Sequence, residues 1–455
     1  MPYIPHSEAD VRAMLAAVGA KSVDELFEDI PKALRIRRTP KLPKPLAELD
    51  LQREAAAAAA KSETFDRMNA FLGAGFYEHF IPAVVQHLAH RVETVTSYTP
   101  YQPEASQGNL TFIFEYQTAI CELTGMEVSN ASMYEGGTAA AEACLMALRV
   151  NGKGRRKVLL SAGLHPEYAQ VCRTYLRNLE GVVVEEVPLK DGATDVDALR
   201  RLSGPDTVGV LVQTPNFFGI VEDGPAVSAA AKAQGALLLV ATDPIALALI
   251  EPPGRFGADI VCGEGQPLAS GLAFGGPSFG FFASRMEFIR QMPGRISGET
   301  VDQQGRRGFV LTLGTREQHI RREKATSNIC TNQGLLALRG LVYLSALGPV
   351  GLREVADGCL ANAHYAAAKI AALPGWKLAF PGKPFWQEFA VDGPLPAAEA
   401  VQRLRRKRIL PGVPLSRWDA RHPNRLLIAV TEVKTKKQID ALVAALGSLG
   451  QGGAR

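Results

Sequence analysis

The chain has 455 residues, of which 47% are hydrophobic and 21% are charged, and its formal net charge is +4. This composition is ordinary for a soluble globular protein, and the mild charge, without a block of one sign, argues against nucleic acid as a partner. No run of about 18 apolar residues predicts a membrane span. The six cysteines are scattered without CxxC spacing, which predicts neither a zinc site nor disulfides and fits a reducing cytoplasm.

Residues 1–60 are predicted to form a helical arm. Ser7 caps a first helix over Glu8–Val18, and a second short helix starts at Ser22. The prolines that follow form a stiff connector, and the run Ala55–Ala60 is predicted to open a longer helix.

The stretch Tyr98–Gln107 belongs to a region, residues 71–117, that is dense in glycine, proline, tyrosine and glutamine and has weak periodicity. Such segments carry binding and catalytic groups more often than regular elements do. Tyr98, Tyr101, Gln102 and Gln107 are therefore candidate site residues. An irregular buried connection with hydrogen-bonded tyrosines explains the same composition, and the pattern leaves both interpretations open.

Small and hydroxyl residues enter a helical run over Ala139–Val150. Gly136, Gly137 and Thr138 would offer free backbone amides to an anion such as phosphate. Glu135 directly precedes them, and its carboxylate is unfavourable beside a phosphate. The segment therefore predicts a phosphate cup that no longer holds a phosphate.

From residue 157 to residue 284, buried strands alternate with helices. This order predicts an α/β fold with a mostly parallel sheet. His165 and Asn216 follow two of the strands, and ligands of such sheets collect at the carboxyl ends of strands. A lone histidine is more often structural than catalytic, but this position makes His165 a candidate.

The next two strands end in Asp243 and in the loop that contains Gln266. Many pyridoxal-phosphate enzymes of the aspartate-aminotransferase fold (fold type I) have this order, with a lysine at the second position that holds the cofactor. Here no lysine lies between Lys232 and Lys324, and Gln266 stands where the lysine is expected. The chain is therefore predicted not to bind the cofactor covalently at that point.

The sequence predicts that the chain has three structural parts. The arm, 1–60, precedes an aminotransferase-like large domain, 61–333, and a smaller α+β domain, 334–455. No metal site is predicted.

Four motifs carry a resemblance to a known family: Phe71–Gly75, Tyr98–Gly108, Glu135–Glu142 and Arg316–Thr331. Together they resemble glycine dehydrogenase (decarboxylating), the P-protein of the glycine cleavage system. That family consists of long chains with two related halves or of two separate subunits. The length and the missing lysine are similar to the N-terminal half, called subunit 1 or the alpha subunit.

The resemblance implies an oxidoreductase of glycine catabolism in which a lysine-bearing subunit 2 (beta) holds pyridoxal phosphate. Glycine would be decarboxylated there, and the aminomethyl group would pass to the lipoyl group of the H-protein. An α2β2 assembly in the cytoplasm is implied. No catalytic residue is expected on this chain alone, and the partner-pocket candidates Tyr98, Tyr101, Gln102 and Gln107 would reach the partner's site.

The resemblance also implies a set of vestigial cofactor-site candidates, which comprises Glu135, Gly136, Gly137, Thr138, His165, Asn216, Asp243 and Gln266. An alternative function is a purely structural scaffold that stabilises the catalytic partner. A stand-alone pyridoxal enzyme conflicts with the missing lysine. A nicotinamide-binding sheet lacks a GxGxxG motif after a strand.

Overall fold

The computed structural model describes residues 5–36, 38, 40–95, 98–326 and 329–450. Ser327 and Asn328 of the last family motif lie outside these residues, as do parts of the predicted arm and of the C-terminal tail. The chain forms two compact units, 1–63 and 64–455. The predicted division of the second unit at residue 333 stays a prediction.

The first unit contains short helices with no buried residue among those described. They are α-helices Glu8–Ala17 and Glu48–Ala59 and 3-10 helices Val23–Phe27 and Lys32–Leu34. Ser7 caps the first helix and Ser22 the second, as predicted. The prediction for Ala55–Ala60 was wrong, because the helix begins earlier, at Glu48, and the alanine run forms its end.

A seven-stranded sheet forms the centre of the second unit. In spatial order its strands are Val128–Ser129, Gly280–Ser284, Ile260–Glu264, Leu237–Thr242, Thr207–Gln213, Lys157–Ser161 and Val183–Val187. The last five are parallel, and the first two add an antiparallel edge. The predicted mostly parallel α/β fold is therefore confirmed, and its continuous apolar strands are buried on both faces.

Helices connect and surround the strands of this part. They are Ala83–Ala89, Val92–Val95, Gln107–Thr124, Gly136–Asn151, Pro166–Leu176, Val196–Leu202, Gly224–Lys232, Gln266–Ala269 and Gln318–Arg321. The 3-10 helices of this part are Pro103–Ala105, Ala246–Ala248, Ala273–Gly275, Met286–Gln291, Gly314–Arg316 and Arg322–Lys324. Helix Gly136–Asn151 packs against the central strands with an alanine-rich face, which allows a close approach.

Three small two-stranded ladders complete this part of the unit. They are Ile296–Val301 with Arg307–Thr312, Leu189–Lys190 with Ala193–Thr194, and Asn69–Ala70 with Ile409–Leu410. The last ladder is parallel and joins the start of the second unit to its C-terminal part.

The long helix Gly334–Ala371 leads into the C-terminal part. Gly348, at φ +60°, breaks its regular geometry just before Pro349. By length and composition this helix could cross a membrane. It packs against helices Ala83–Ala89 and Gln107–Thr124, and about a third of its apolar window is buried within the fold.

The C-terminal part contains a four-stranded antiparallel sheet. Its strands, in spatial order, are Lys377–Leu378, Glu388–Asp392, Arg425–Ala429 and Val413–Pro414. Helices Ala397–Arg405 and Lys436–Gly450 and the 3-10 helix Leu415–Arg417 accompany the sheet. Strand Glu388–Asp392 brings its first residue to the edge of the central sheet, where a polar cavity lies.

Candidate functional site

The polar cavity lies where three neighbouring parallel strands end. Gln213, Asp243 and Glu264 stand at or just after the carboxyl ends of these strands and line the cavity together with Tyr77 and Glu388. Its volume is about 40 Å³, room for about three water molecules. Ligand pockets typically measure about 300–1,000 Å³, so this one is far smaller than a usual ligand site. We call it the remnant pocket.

Glu135 occupies the start of helix Gly136–Asn151 with its own carboxylate. One carboxylate oxygen accepts a hydrogen bond from the amide of Gly137 at 2.5 Å, and the other accepts from the amide of Thr138 at 2.8 Å. These are amides that a phosphate would otherwise use. A side chain of the chain itself therefore occupies this helix start.

Glu264 accepts a hydrogen bond from a third backbone amide at the same helix start. Its Oε2 accepts from the amide of Gly136 at 3.0 Å, while its Oε1 accepts from the amide of Gln266 and from the hydroxyl of Ser278. Burial raises the pKa of Glu264 to about 7, although these hydrogen bonds favour the ionised form. Glu264 thereby joins the cup to the strand end that precedes Gln266.

Gln266 is fully buried and uses its whole amide group. Its Nε2 donates to the carbonyls of Tyr77 at 3.1 Å and Ser270 at 2.9 Å, and its Oε1 accepts from the amide of Tyr77 at 3.2 Å. The side chain of Gln266 therefore ties a distant segment of the chain to this loop.

Asp243 and Glu388 are the other two carboxyl groups of the remnant pocket. Asp243 accepts from the amides of Ile245 and Ala246 and from the side chain of Gln387, and burial raises its pKa. Glu388 accepts from the amide of Ala74 and from the hydroxyl of Tyr77, each at 2.7 Å. Burial raises its pKa to about 7.

His165 and Asn216 are structural in this arrangement. The Nδ1 of His165 accepts from the amide of Glu167 at 3.1 Å, so its Nε2 carries the proton and donates to the carbonyl of Ala74 at 2.8 Å. Burial lowers its pKa, which keeps the ring neutral. Asn216 donates to the carbonyl of Gly192 and to Glu222, and it accepts from two backbone amides.

Crowding around this pocket explains why the motif Phe71–Gly75 contains two glycines. A Cβ atom at Gly73 would lie 2.2 Å from Oε1 of Glu388, and one at Gly75 would lie 2.8 Å from the ring of His165. Only a residue without a side chain lets the backbone pass between these two groups.

The residues present do not fit pyridoxal phosphate on this chain. The amides of the cup are already bonded to Glu135 and Glu264, and the cavity is far smaller than a cofactor needs. Among the residues that the structure describes, no lysine or arginine lines the cavity. The pocket therefore presents buried acids where a cofactor would need amides and an amine.

The four partner-pocket candidates lie away from the remnant pocket. The side chains of Tyr98 and Tyr101 are exposed, at 78% and 54%, and Tyr101 receives a hydrogen bond from Arg295 at 2.8 Å. Gln102 is exposed and precedes the 3-10 helix Pro103–Ala105. Gln107 begins helix Gln107–Thr124, and its side chain exchanges two hydrogen bonds of 2.8 Å with the backbone of Phe309.

The sequence analysis missed Tyr77, Tyr168, Glu264, Gln387 and Glu388, which the structure places around the candidates. Glu264 stands only two residues before Gln266 and could have been noticed as the end of its strand. Nothing in the local pattern around Gln387 or Glu388 distinguishes them from other residues of a short buried strand.

Comparison with known proteins matches nearly the whole length of this chain to the family that its motifs resemble. The family model described as "Glycine cleavage system P-protein" matches residues 1–446. A probable glycine dehydrogenase (decarboxylating) subunit 1 of Carboxydothermus hydrogenoformans is 50% identical over 447 residues, covering 98% of this chain and 99% of the relative.

Solved structures agree with this. A crystal structure of glycine decarboxylase (P-protein) in inhibitor-bound form superposes with a TM-score of 0.88 at 44% identity, covering 99% of this chain and 100% of that one. The structure of C-DES with glycine covalently linked to its PLP cofactor has a TM-score of 0.61 at 15% identity, covering 84% of this chain and 96% of that one. The second likeness shows the fold alone, that of pyridoxal-phosphate enzymes of fold type I. The chain therefore belongs to the glycine cleavage system P-protein family, among the chains that form subunit 1 of glycine dehydrogenase (decarboxylating).

Proposed function

We propose that this chain is the half of glycine decarboxylase that carries no cofactor lysine and that it works only together with a lysine-bearing subunit 2. The pair decarboxylates glycine and transfers the aminomethyl group to the lipoyl group of the H-protein. One observation supports this most directly: Gln266 stands where the lysine is expected, and three hydrogen bonds hold its buried side chain. We propose an α2β2 assembly that acts in the cytoplasm.

In this proposal pyridoxal phosphate belongs to the partner. The acids of the remnant pocket repel a phosphate, and the helix start that would hold it is capped by Glu135. What remains for this chain is to shape the partner's site from across the interface.

The segment Tyr98–Gln107 is the part we propose for that task. Tyr98 and Tyr101 present their rings to solvent, whereas most tyrosines of a folded chain are at least half buried. The segment is anchored at its end, since Gln107 is bonded to the backbone of Phe309, and at Tyr101 by Arg295. Anchored aromatic side chains suit the positioning of a substrate or a lipoyl disulfide, because small displacements cost much rate.

The assembly is tested by mixing the purified chain with the lysine-bearing subunit and lipoylated H-protein and measuring glycine–bicarbonate exchange. We expect exchange in the mixture and none with this chain alone. Full exchange by the lysine-bearing subunit without this chain would overturn the proposal.

The isolated chain is expected to bind no pyridoxal phosphate through a lysine, so that adding the cofactor gives no visible band of lysine-bound cofactor. Gln266→Lys should give none either, because Glu135 and Glu264 still occupy the amides of the cup. Absorbance and mass spectrometry after borohydride reduction check both proteins. A cofactor-modified lysine in the unaltered chain would contradict the expectation.

For the proposed segment, Tyr98→Phe is expected to lower exchange in the assembled enzyme at least about 10-fold, or about 1.4 kcal/mol of transition-state stabilisation. Melting temperature should not change, because Tyr98 is exposed. Tyr175→Phe, on a helix away from this segment, serves as the control and should leave both measurements unchanged.

Unchanged exchange in Tyr98→Phe and in the matching Tyr101→Phe would favour the alternative, a scaffold that only stabilises the catalytic subunit. One observation favours this alternative: Glu135, Glu264 and Gln266 are all held by hydrogen bonds within the chain.

A further inference from the structure

A second polar cluster lies outside the remnant pocket and joins three distant segments. His79 follows the first strand of the second unit, Cys359 lies in helix Gly334–Ala371, and Glu432 follows strand Arg425–Ala429. The Oε2 of Glu432 is 2.8 Å from Nδ1 of His79 and 3.2 Å from Sγ of Cys359. One ligand atom from each of the three residues lies within 4.8 Å of the others.

The side chain of His79 is completely buried, and that of Glu432 is 16% exposed. Zinc takes nitrogen, sulfur and carboxylate oxygen ligands at about 2.0–2.3 Å in a tetrahedron. At these bond lengths the ligand atoms stand roughly 3–4 Å apart, so the three atoms need only small shifts to enclose the ion.

Charge balance favours a divalent cation. In the metal-free protein the thiol of Cys359 donates its proton in a hydrogen bond to the carboxylate of Glu432. When Zn²⁺ binds, the S–H bond breaks, a Zn–S bond forms and the proton leaves to solvent. One thiolate and one carboxylate then balance the two positive charges of the ion, so the buried centre has no net charge.

The hydroxyl oxygen of Tyr343 is fully buried and has no hydrogen-bond partner among the described residues. Tyr343 belongs to the same cluster of buried side chains as Cys359. Unpaired buried polar groups are rare and indicate a missing water or ion.

We propose that Nδ1 of His79, Sγ of Cys359 and Oε2 of Glu432 bind one Zn²⁺, with a water in the fourth position beside the hydroxyl of Tyr343. The ion would fasten the segment around His79 to the C-terminal part. Two further contacts already join these segments: Lys434 is paired with Glu78 at 2.5 Å, and the hydroxyl of Thr431 donates to the carbonyl of Glu78 at 2.5 Å. The site is structural and independent of the function proposed above.

The test uses the full chain, stripped with a chelator and then equilibrated with zinc in the presence of a competing chelator of moderate affinity. We expect about one zinc per chain, together with a rise in melting temperature. Cys359→Ser should lose both. Cys330→Ser, which alters an exposed cysteine, is the control and should retain both.

Cobalt in place of zinc gives a readout that needs no variant, because a thiolate ligand adds a near-ultraviolet charge-transfer band. We expect this band in the unaltered chain and in Cys330→Ser but not in Cys359→Ser. Absence of the band in the unaltered chain, or equal zinc binding by Cys359→Ser, would overturn the proposal.

Discussion

Gln266→Leu is expected to lower the free energy of unfolding of the isolated chain by about 3–5 kcal/mol. The change leaves three buried backbone groups, the amide and carbonyl of Tyr77 and the carbonyl of Ser270, without their partner. Each buried group that loses its hydrogen bond costs about 1–3 kcal/mol. Leucine has a similar volume, so a cavity contributes little. Denaturant unfolding followed by circular dichroism measures the change.

The matched control is Gln170→Leu, which alters an exposed glutamine of helix Pro166–Leu176. Surface changes of this kind stay within about 0.5 kcal/mol. A loss below 1 kcal/mol for Gln266→Leu would mean that water replaces the glutamine easily, and the surroundings of Gln266 would then be more open than the structure indicates.

The second large effect concerns pH. Glu388 has its pKa raised by burial from 4.5 to about 7, so between these values the folded chain holds a proton that the unfolded chain releases. Its contribution to stability is complete below pH 4.5 and is lost as the pH rises through about 7. At about 1.4 kcal/mol per pKa unit the loss amounts to about 3 kcal/mol.

Glu388→Gln keeps an acceptor for the amide of Ala74 and removes the titrating group. We therefore expect the difference in unfolding free energy between pH 5 and pH 8 to shift by about 2.5 kcal/mol in favour of the higher pH, relative to the unaltered chain, since part of the loss has already occurred at pH 5. Glu180→Gln, at an exposed carboxyl, is the control. An identical pH profile for Glu388→Gln and the unaltered chain would show that Glu388 is ionised throughout this range.

The parallel sheet could be predicted because its strands are short, continuous apolar runs separated by helical segments of regular length. Helix Gln107–Thr124 was missed, since its cap Ser106 makes no side-chain hydrogen bond and its apolar residues are interspersed with threonine and glutamine. Helix Glu48–Ala59 was placed too late because an alanine run indicates helix without indicating where the helix starts.

The residues of the candidate site likewise fall into those that the sequence pattern indicates and those that it does not. Glu135, Asp243 and Gln266 could be found because each follows a recognisable strand or precedes a helix. The bond between Glu388 and Tyr77 spans 311 positions in the sequence, and that between Glu432 and His79 spans 353. No local pattern records such pairs, because they result from the packing of the C-terminal part against the central sheet.

The carboxylate of Glu135 at the start of helix Gly136–Asn151 makes the effects of two substitutions depend on each other. A lysine introduced at position 266 alone would stand near a helix start whose amides are already bonded to Glu135. Removal of the carboxylate alone would leave two helix amides unpaired and the chain less stable. The two positions are therefore energetically coupled, and neither change alone creates a site for a phosphate-bearing ligand.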